Sequence, residues 1–410
     1  MGPELLAYPF LFIALFFEVF ILVTFLSKPA RYARGRTSSA WEPQVAIIIP
    51  CRNEESTVGK TVASALALDY PTGKLEIILV DNASTDGTSE VMRSFAHDPR
   101  VKVLREEALG KHHAVNAGIA ATDAEIIGCL DADSFVEPDA LRLILPSFDS
   151  ERVAATTAAM SIHEPKNILE HMQNVEYIFG IALRHALCSL NGIYVTPGPF
   201  SLYRKSVVLA LGGFRFGHQT EDMEMALRIQ KAGYVIENAP AARVYTKAPQ
   251  TVKKLIKQRT RWTSGFLRNI THEYRGLVFN YRYGALGMLV LPIAIFAIVG
   301  GLSLFFIAAF LFVKTAIVSI LLYRSVPLAF AIPSFSFDWF YLPVSLYTAV
   351  GFVALAIMIG TVVIGKRISN TGGTLTRGFV GYFLFYSLIA PFWLMRATAD
   401  VVTGTTRGWK

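Results

Sequence analysis

The chain has 410 residues, of which 53% are hydrophobic and only 17% are charged, with a net charge of +8. This balance excludes a disordered or collagen-like chain, and the mean hydropathy of +0.42 argues against a wholly soluble protein. The three cysteines, Cys51, Cys129 and Cys188, form no CxxC pair and are too widely spaced for a disulfide framework. They are expected to be reduced and buried.

Four apolar stretches each reach or exceed the roughly 18 residues that suggest a membrane span. They predict an N-terminal transmembrane helix over residues 1–27, a bundle of three spans over residues 285–396 and a short tail over residues 397–410. A further apolar segment, residues 315–333, is bounded and interrupted by basic residues and would be an extra or re-entrant segment. The four stretches are Leu5–Ser27, Tyr283–Val313, Trp339–Gly365 and Gly378–Met395.

The first stretch is predicted to be a retained anchor. It is longer than the apolar region of a signal peptide, no basic segment precedes it, and no small-residue cleavage site follows. The linker over residues 28–44 is basic, as is the loop containing Lys366 and Arg367, so the positive-inside rule predicts an inner-membrane protein with a cytoplasmic soluble domain. Glu18 is either a functional acid or a residue facing a water-filled cavity. The basic linker residues are Lys28, Arg31, Arg34 and Arg36.

The soluble domain alternates short apolar runs with segments of helical spacing, which indicates a doubly wound α/β fold with a parallel sheet. Ligands bind such sheets at the carboxyl ends of the strands, where polar residues cluster in this chain. The predicted strands are Val45–Pro50, Leu75–Asp81, Val101–Leu104 and Glu125–Asp131. The predicted helices are Glu54–Leu68, with Ser56 as its expected cap, and Ser84–Ala96, His112–Ala121 and Pro138–Leu145.

The triplet Asp131-Ala132-Asp133 closes the fourth predicted strand. Two carboxylates where the chain turns suit Mg²⁺ or Mn²⁺, with coordination positions left for the phosphate oxygens of a substrate. The competing interpretation is a helix N-cap, because Asp133-Ser134 precedes the helix predicted from Pro138. The run Gly59-Lys60-Thr61 ends like a phosphate-binding loop, but residue 54 is Glu where that motif needs Gly.

Two further clusters carry candidate chemistry. Thr220-Glu221-Asp222 precedes a predicted helix over Met223–Ala232, and acids in a first helical turn are often only partners of the helix dipole. Gln258, Arg261 and Trp262 lie on one face of the basic amphipathic stretch Thr251–Leu267, because their spacing is i, i+3 and i+4. They offer an amide, a cation that grips phosphate, and a flat ring on which a sugar stacks.

These motifs together resemble the membrane-embedded, processive family 2 glycosyltransferases, which include cellulose, chitin, hyaluronan and poly-N-acetylglucosamine synthases and rhizobial chitooligosaccharide synthase. The resemblance covers Val45 to about Arg268 and the layout of the spans. The chain departs from many relatives at Cys51-Arg52, where they have Tyr or Phe, and at Asn82, where they have Asp. The matching motifs are IIPCRNEE (48–55), VDNASTDGT (80–88), GKHHAVNAG (110–118), DAD (131–133), PGPFSLYR (197–204), TED (220–222) and QRTRW (258–262).

The resemblance implies a GT-A (Rossmann-like) cytoplasmic domain over residues 45–246, inserted between transmembrane helices and followed by amphipathic interface helices over residues 247–284. It implies that Asp222 is the general base, that Asp133 binds Mg²⁺ or Mn²⁺, and that Trp262 forms the acceptor subsite together with Glu221. The residues that it assigns to the nucleotide-sugar are Pro50, Glu54, Asp81, Lys111, Asp131, Gln258 and Arg261.

The implied function is transfer of a sugar from a UDP-sugar, with UDP-N-acetylglucosamine favoured over UDP-glucose, to a growing polysaccharide that the bundle guides across the membrane. The alternative is a non-processive enzyme that glycosylates a lipid acceptor. A membrane scaffold or transporter with a degenerate nucleotide domain is disfavoured, because the acidic and basic motifs are intact. Membrane lipids, export partners or a second copy of the chain are expected partners, and nucleic acid is not.

Overall fold

The computed structural model describes residues 8–27, 41–324, 346–372 and 375–405. Its soluble domain is built on an eight-stranded sheet with the order β3-β2-β1-β4-β7-β6-β8-β5. The first strand begins at Val45 and the last one ends at Thr246. The strands are β1 (Val45–Cys51), β2 (Leu75–Asp81), β3 (Val101–Arg105), β4 (Ile126–Cys129), β5 (Ser134–Val136), β6 (Val153–Ile162), β7 (Ser201–Arg204) and β8 (Val235–Thr246).

The first four strands are parallel, as predicted, and alternate residues of β1 pack into two separate apolar layers. Beyond these four strands the sheet is mixed, because β7 runs antiparallel to β4 and β6, and β5 runs antiparallel to β8. A strand buried on both faces reads as a continuous apolar run in either direction, so the pattern does not reveal strand direction. The later strands, such as the Ala/Thr-rich Val153–Ile162, carry a weaker apolar signal.

The helices of the domain form where the spacing predicts them, but several begin later. The first begins at Val58, not Glu54, because the Glu54 amide donates to the Thr88 hydroxyl at 2.8 Å and the chain turns there. Its N-cap residue is Thr57, so the prediction of a Ser56 cap is wrong. The helices are α2 (Val58–Leu66), α3 (Thr88–Arg93), α4 (Lys111–Ala120), α5 (Ala140–Ile144), α6 (Ile168–Ser189), α7 (Lys205–Ala210), α8 (Glu221–Lys231) and α9 (Val252–Arg268).

Four helices are long and apolar enough to cross a membrane, and they coincide with the four predicted stretches. The segment predicted as extra or re-entrant continues the second of these helices as far as Tyr323, and the rest of it lies outside the described residues. Residues 28–40, with the basic linker residues, also lie outside them. The spans are built on α1 (Tyr8–Ser27), α10 (Leu291–Tyr323), α11 (Leu346–Ser369), and α12 (Thr376–Gly381) continued by a π turn (Tyr382–Tyr386) and α13 (Ser387–Val402).

The soluble domain and the bundle share an extensive interface. The long helix α6 packs against α11 and α12, and α9 packs along α13. The approach is close at Gly378, where an added Cβ would lie 2.5 Å from the carbonyl oxygen of His171. The helix that carries the QRTRW motif is therefore held between the sheet domain and the last span.

Candidate active site

The predicted site residues gather at the carboxyl edge of the sheet, where the ends of β1, β2 and β4 lie side by side. A cavity of about 910 Å³ opens between this edge and helix α9. Eight of the eleven predicted residues line it, whereas Asp81, Asp222 and Trp262 are not among its lining residues. The eight are Pro50, Glu54, Lys111, Asp131, Asp133, Glu221, Gln258 and Arg261.

Lys111, the first residue of α4, lies at the centre of the acidic side. Its Nζ is 2.6 Å from Asp131 Oδ1 and 3.1 Å from Glu221 Oε1. Burial alone would lower the pKa of Lys111, but the carboxylates of Asp131, Glu221 and Asp222 outweigh it and hold that pKa well above its ordinary value. Gly198 approaches so closely that an added Cβ would lie 2.6 Å from the Lys111 Nζ. Lys111 is therefore a fixed cation inside the cavity.

Asp133 faces a concentration of negative charge at the end of β4. Burial, together with the charges of Asp131 and Glu54, raises the pKa of Asp133 to about 7. Carboxylates held this close favour a bound cation, and hard oxygens suit Mg²⁺ or Mn²⁺. No group of three or more His, Cys, Asp or Glu side chains is arranged for a metal within the described ranges.

The alternative helix-cap role of Asp133-Ser134 is wrong. Ser134 begins strand β5, and the N-cap of the following helix is Asp139. The turn that carries Asp133 is held by a hydrogen bond, which the Thr61 hydroxyl donates to the carbonyl oxygen of Ala132 at 2.8 Å. This contact gives Thr61 a structural role that the sequence pattern did not indicate.

Asp222 lies in the first turn of α8, behind Lys111. One carboxylate oxygen accepts from the Met223 amide at 2.8 Å, and the other accepts from the Gly198 amide at 3.3 Å. Burial and the neighbouring Glu221 raise the pKa of Asp222 to about 6. The carboxyl is therefore mostly ionised at neutral pH and remains basic enough to take up a proton.

Helix α9 supplies the opposite wall of the cavity. Gln258 and Arg261 line the wall, and the Arg261 guanidinium donates to the carbonyl oxygen of Gln219 at 2.9 Å. Trp262 is half-buried and packs on the apolar layer of the domain next to this wall. Of the three residues predicted to share one face of this helix, Gln258 and Arg261 line the cavity, and Trp262 does not.

Sequence analysis missed Arg259, the second residue of QRTRW. Its guanidinium is 4% exposed, forms an ion pair with Glu176 at 2.6 Å and lies 4.2 Å from the centre of the Trp262 ring. A signal was present, because Arg259 follows Leu255 by four positions and precedes Phe266 by seven on the buried face of the helix. A charged residue at such a position indicates a specific partner.

Asp81 is almost fully enclosed at the end of β2. It is 2% exposed, and its carboxylate accepts from the Ser84 amide at 3.0 Å and from the Ser89 hydroxyl at 2.5 Å. Burial would raise the pKa of Asp81, but these hydrogen bonds and Arg105 lower it. In this geometry the side chain holds the turn after β2, next to the cavity-lining residue Asn82.

Comparison with known proteins agrees with this geometry. The family described as "Glycosyltransferase like family 2" matches residues 43–265, more than half of the chain, and the protein therefore belongs to that family. It is 31% identical over 267 residues to a poly-beta-1,6-N-acetyl-D-glucosamine synthase of Staphylococcus epidermidis and 28% identical to that of Staphylococcus aureus. These alignments span 64% of this chain and 64% of each relative.

One solved structure resembles nearly the whole chain. It is the mannosyltransferase PcManGT from Pyrobaculum calidifontis in complex with GDP-Man and Mn²⁺. The two chains share 19% sequence identity and superpose with a TM-score of 0.65, over 98% of this chain and 100% of the other. At this identity the likeness supports the fold, a Rossmann-like glycosyltransferase domain. In this chain, helices that are apolar enough to cross a membrane lie at both ends of the domain.

Proposed function

We propose that this family 2 glycosyltransferase is a membrane-integrated inverting enzyme that adds sugars from a UDP-sugar to a growing β-linked polysaccharide and guides the product across the membrane. The observation that carries the proposal is one cavity shared by the strand-end carboxylates Asp131 and Asp133 and by the cations Lys111 and Arg261. A nucleotide diphosphate needs both a place for a divalent cation and fixed positive charge.

The proposed reaction is a single displacement at the anomeric carbon of the donor sugar. The acceptor hydroxyl oxygen forms a bond to that carbon, the bond from the carbon to the diphosphate oxygen breaks, and UDP departs with the bonding electrons. The hydroxyl proton passes to the carboxylate of Asp222. A positioned base of this kind contributes roughly 10²–10⁴-fold to the rate.

The departing diphosphate gains negative charge, which Lys111 and Arg261 are proposed to stabilise. Lys111 keeps its proton because three carboxylates surround it, so its charge is in place before the donor binds. Preorganised charge of this kind costs no reorganisation as the reaction proceeds. A divalent cation, when bound, adds Lewis-acid stabilisation of the diphosphate, and Asp133 is the residue proposed to hold it.

The acceptor subsite is proposed to consist of Trp262, with Glu221 as its polar neighbour. A half-buried indole presents a flat apolar surface of the kind on which a sugar ring stacks. Gln258 lines the cavity between this ring and the cations, where it is proposed to support the bound donor. The turn at Pro50 and Glu54 and the neighbourhood of Asp81 would border the nucleoside.

UDP-N-acetylglucosamine is the proposed donor and UDP-glucose the second choice. The support is the similarity to the staphylococcal poly-N-acetylglucosamine synthases, of whose length the chain spans about 64%. The basic linker and the loop with Lys366 and Arg367 favour an inner-membrane protein whose catalytic domain faces the cytoplasm. Export partners or a second copy of the chain would complete a path for the product.

The test is to incubate the purified full chain with a panel of UDP-sugars, to measure UDP release and to size the products made from radiolabelled donor. We expect UDP-N-acetylglucosamine to give the fastest release and an oligomer ladder or polymer. A single labelled glycolipid would instead support the lipid-acceptor enzyme. No UDP release with any sugar, at any divalent cation concentration, would contradict the proposal.

A further inference from the structure

Arg259 is a buried cation that contacts three separate parts of the protein. It lies on α9, is 4% exposed, and faces α6 and the last span at once. The sequence separations are long, 83 positions to Glu176 and 127 to Tyr386. Its contacts are Glu176 Oε2 at 2.6 Å, Gln258 Oε1 at 3.0 Å, the Tyr386 hydroxyl at 3.4 Å, and the ring centres of Trp262 at 4.2 Å and Tyr177 at 5.7 Å.

The charge of this guanidinium is permanent. Burial would lower the pKa of Arg259, but Glu176 and the neighbouring tyrosines hold it well above its ordinary value. A buried ion pair is weak evidence for stability, because apolar residues of similar volume often stabilise a protein as well or better. The position therefore calls for an explanation other than folding, and its contacts lead to the acceptor side of the site.

Two of these contacts determine the orientation of neighbouring side chains, the Trp262 ring and the Gln258 amide. The guanidinium covers one face of the Trp262 ring, and a cation–π contact is stronger when both groups are shielded from water. The Gln258 carbonyl oxygen accepts from Arg259, so the amide nitrogen of Gln258 is left as the donor group of that side chain. Both orientations depend on one planar, five-donor group that lysine cannot replace.

We infer that Arg259 is a positioning residue that fixes Trp262 for the acceptor and connects the orientation of this ring to the last predicted membrane span. The inference rests on the proposed function, since it takes Trp262 as the acceptor platform. Tyr386 closes the π turn of that span, stacks on Tyr382 at 4.7 Å and meets the edge of Trp393 at 5.3 Å. The platform is thereby coupled to the helix that packs along α9.

The test compares Arg259→Lys with wild type in the purified full chain, using UDP-N-acetylglucosamine and a short β-linked N-acetylglucosamine oligosaccharide as acceptor. Lysine keeps the charge but loses the planar fork. We expect the KM for the acceptor to rise about tenfold and the product ladder to shorten, consistent with the loss of a desolvated cation–π contact. The KM for the donor should rise less than the KM for the acceptor, because Arg259 does not line the cavity and reaches the donor side only through Gln258.

The matched control is Arg228→Lys. Arg228 is similarly buried, at 7% exposed, and pairs with Glu224 at 2.7 Å, but neither residue lines the cavity. This variant should lower the melting temperature and leave both KM values unchanged. If Arg259→Lys does not fold, Glu176→Gln removes the counter-charge while keeping the shape, and it should raise the acceptor KM in the same direction by about threefold.

A double-mutant cycle distinguishes a positioning role of Arg259 from a general disturbance of the protein. In a Trp262→Ala background, Arg259→Lys should cause no further rise in the acceptor KM, because the ring it positions is gone. If Trp262→Ala raises the acceptor KM while Arg259→Lys and Glu176→Gln leave it unchanged, the inference fails and the proposed function stands. If Trp262→Ala itself leaves acceptor KM and ladder unchanged, the proposed acceptor platform fails.

Discussion

The two walls of the cavity are built in different ways. The acidic wall consists of turns that follow strands β1 and β4 and of the first residues of α4 and α8, all within the sheet domain. The opposite wall is one face of α9, which α6 and the last span hold in place through Arg259 and its partners. The acidic wall should therefore tolerate changes in the bundle, whereas the α9 wall should respond to them.

The largest expected effect is loss of the carboxylate proposed to hold the metal, in the acidic wall. Asp133→Asn should reduce turnover by at least about 10³-fold, because a neutral amide is a poor ligand for a hard cation. Titrating Mg²⁺ and Mn²⁺ into EDTA-treated wild type should restore UDP release, and the variant should not recover. The melting temperature should change little. Full activity of wild type in EDTA would contradict the metal assignment.

The second-largest expected effect concerns proton transfer to Asp222, which belongs to the same wall. Asp222→Asn keeps the shape and removes the proton acceptor, so transfer should fall by roughly 10²–10⁴-fold. UDP-sugar binding, measured by calorimetry, should persist. Asp98→Asn is the control, since that carboxylate pairs with Arg100 and is not part of the cavity lining. Parallel loss of binding and transfer would make Asp222 a structural residue.

The third prediction contrasts two neighbours on α9. Arg261→Ala should slow every transfer by about 10²–10³-fold, because it removes stabilising charge from the leaving diphosphate. Trp262→Ala should shorten the product ladder and weaken acceptor binding while leaving UDP affinity intact. The measurement is product sizing alongside UDP binding for both variants. Identical losses of UDP binding and product length in the two would indicate that α9 acts only as a structural unit.

The difference between the walls also explains which features of the site can be predicted from the sequence and which cannot. Strand β2 has the bounds that the sequence predicts, and Asp131 and Asp133 follow the end of a neighbouring parallel strand, because parallel strands place their carboxyl ends at one edge. Arg259 was missed because its partners lie on α6 and the last span, and local periodicity does not encode contacts between distant helices. Strands β5 and β7 were not predicted because they have only three and four residues, which is too short to show a periodicity.

The smallest expected effect is a pH dependence that belongs to the acidic wall alone. Burial and Glu221 raise the pKa of Asp222 to about 6, and the base acts only when it is ionised. As the pH falls from 7 to 5 the ionised fraction drops, to roughly one-tenth at one unit below the pKa, so transfer should fall about tenfold.

The comparison between variants makes this pH profile decisive. Trp262→Ala should keep the same midpoint near pH 6 at saturating donor, because the indole carries no proton and lies on the other wall. Asp222→Asn should retain only a weak residual rate that does not share this midpoint, because the titrating base is absent. If the midpoint instead moves with Trp262→Ala and stays with Asp222→Asn, the pH response originates in the α9 wall, and the assignment of Asp222 as the base is wrong.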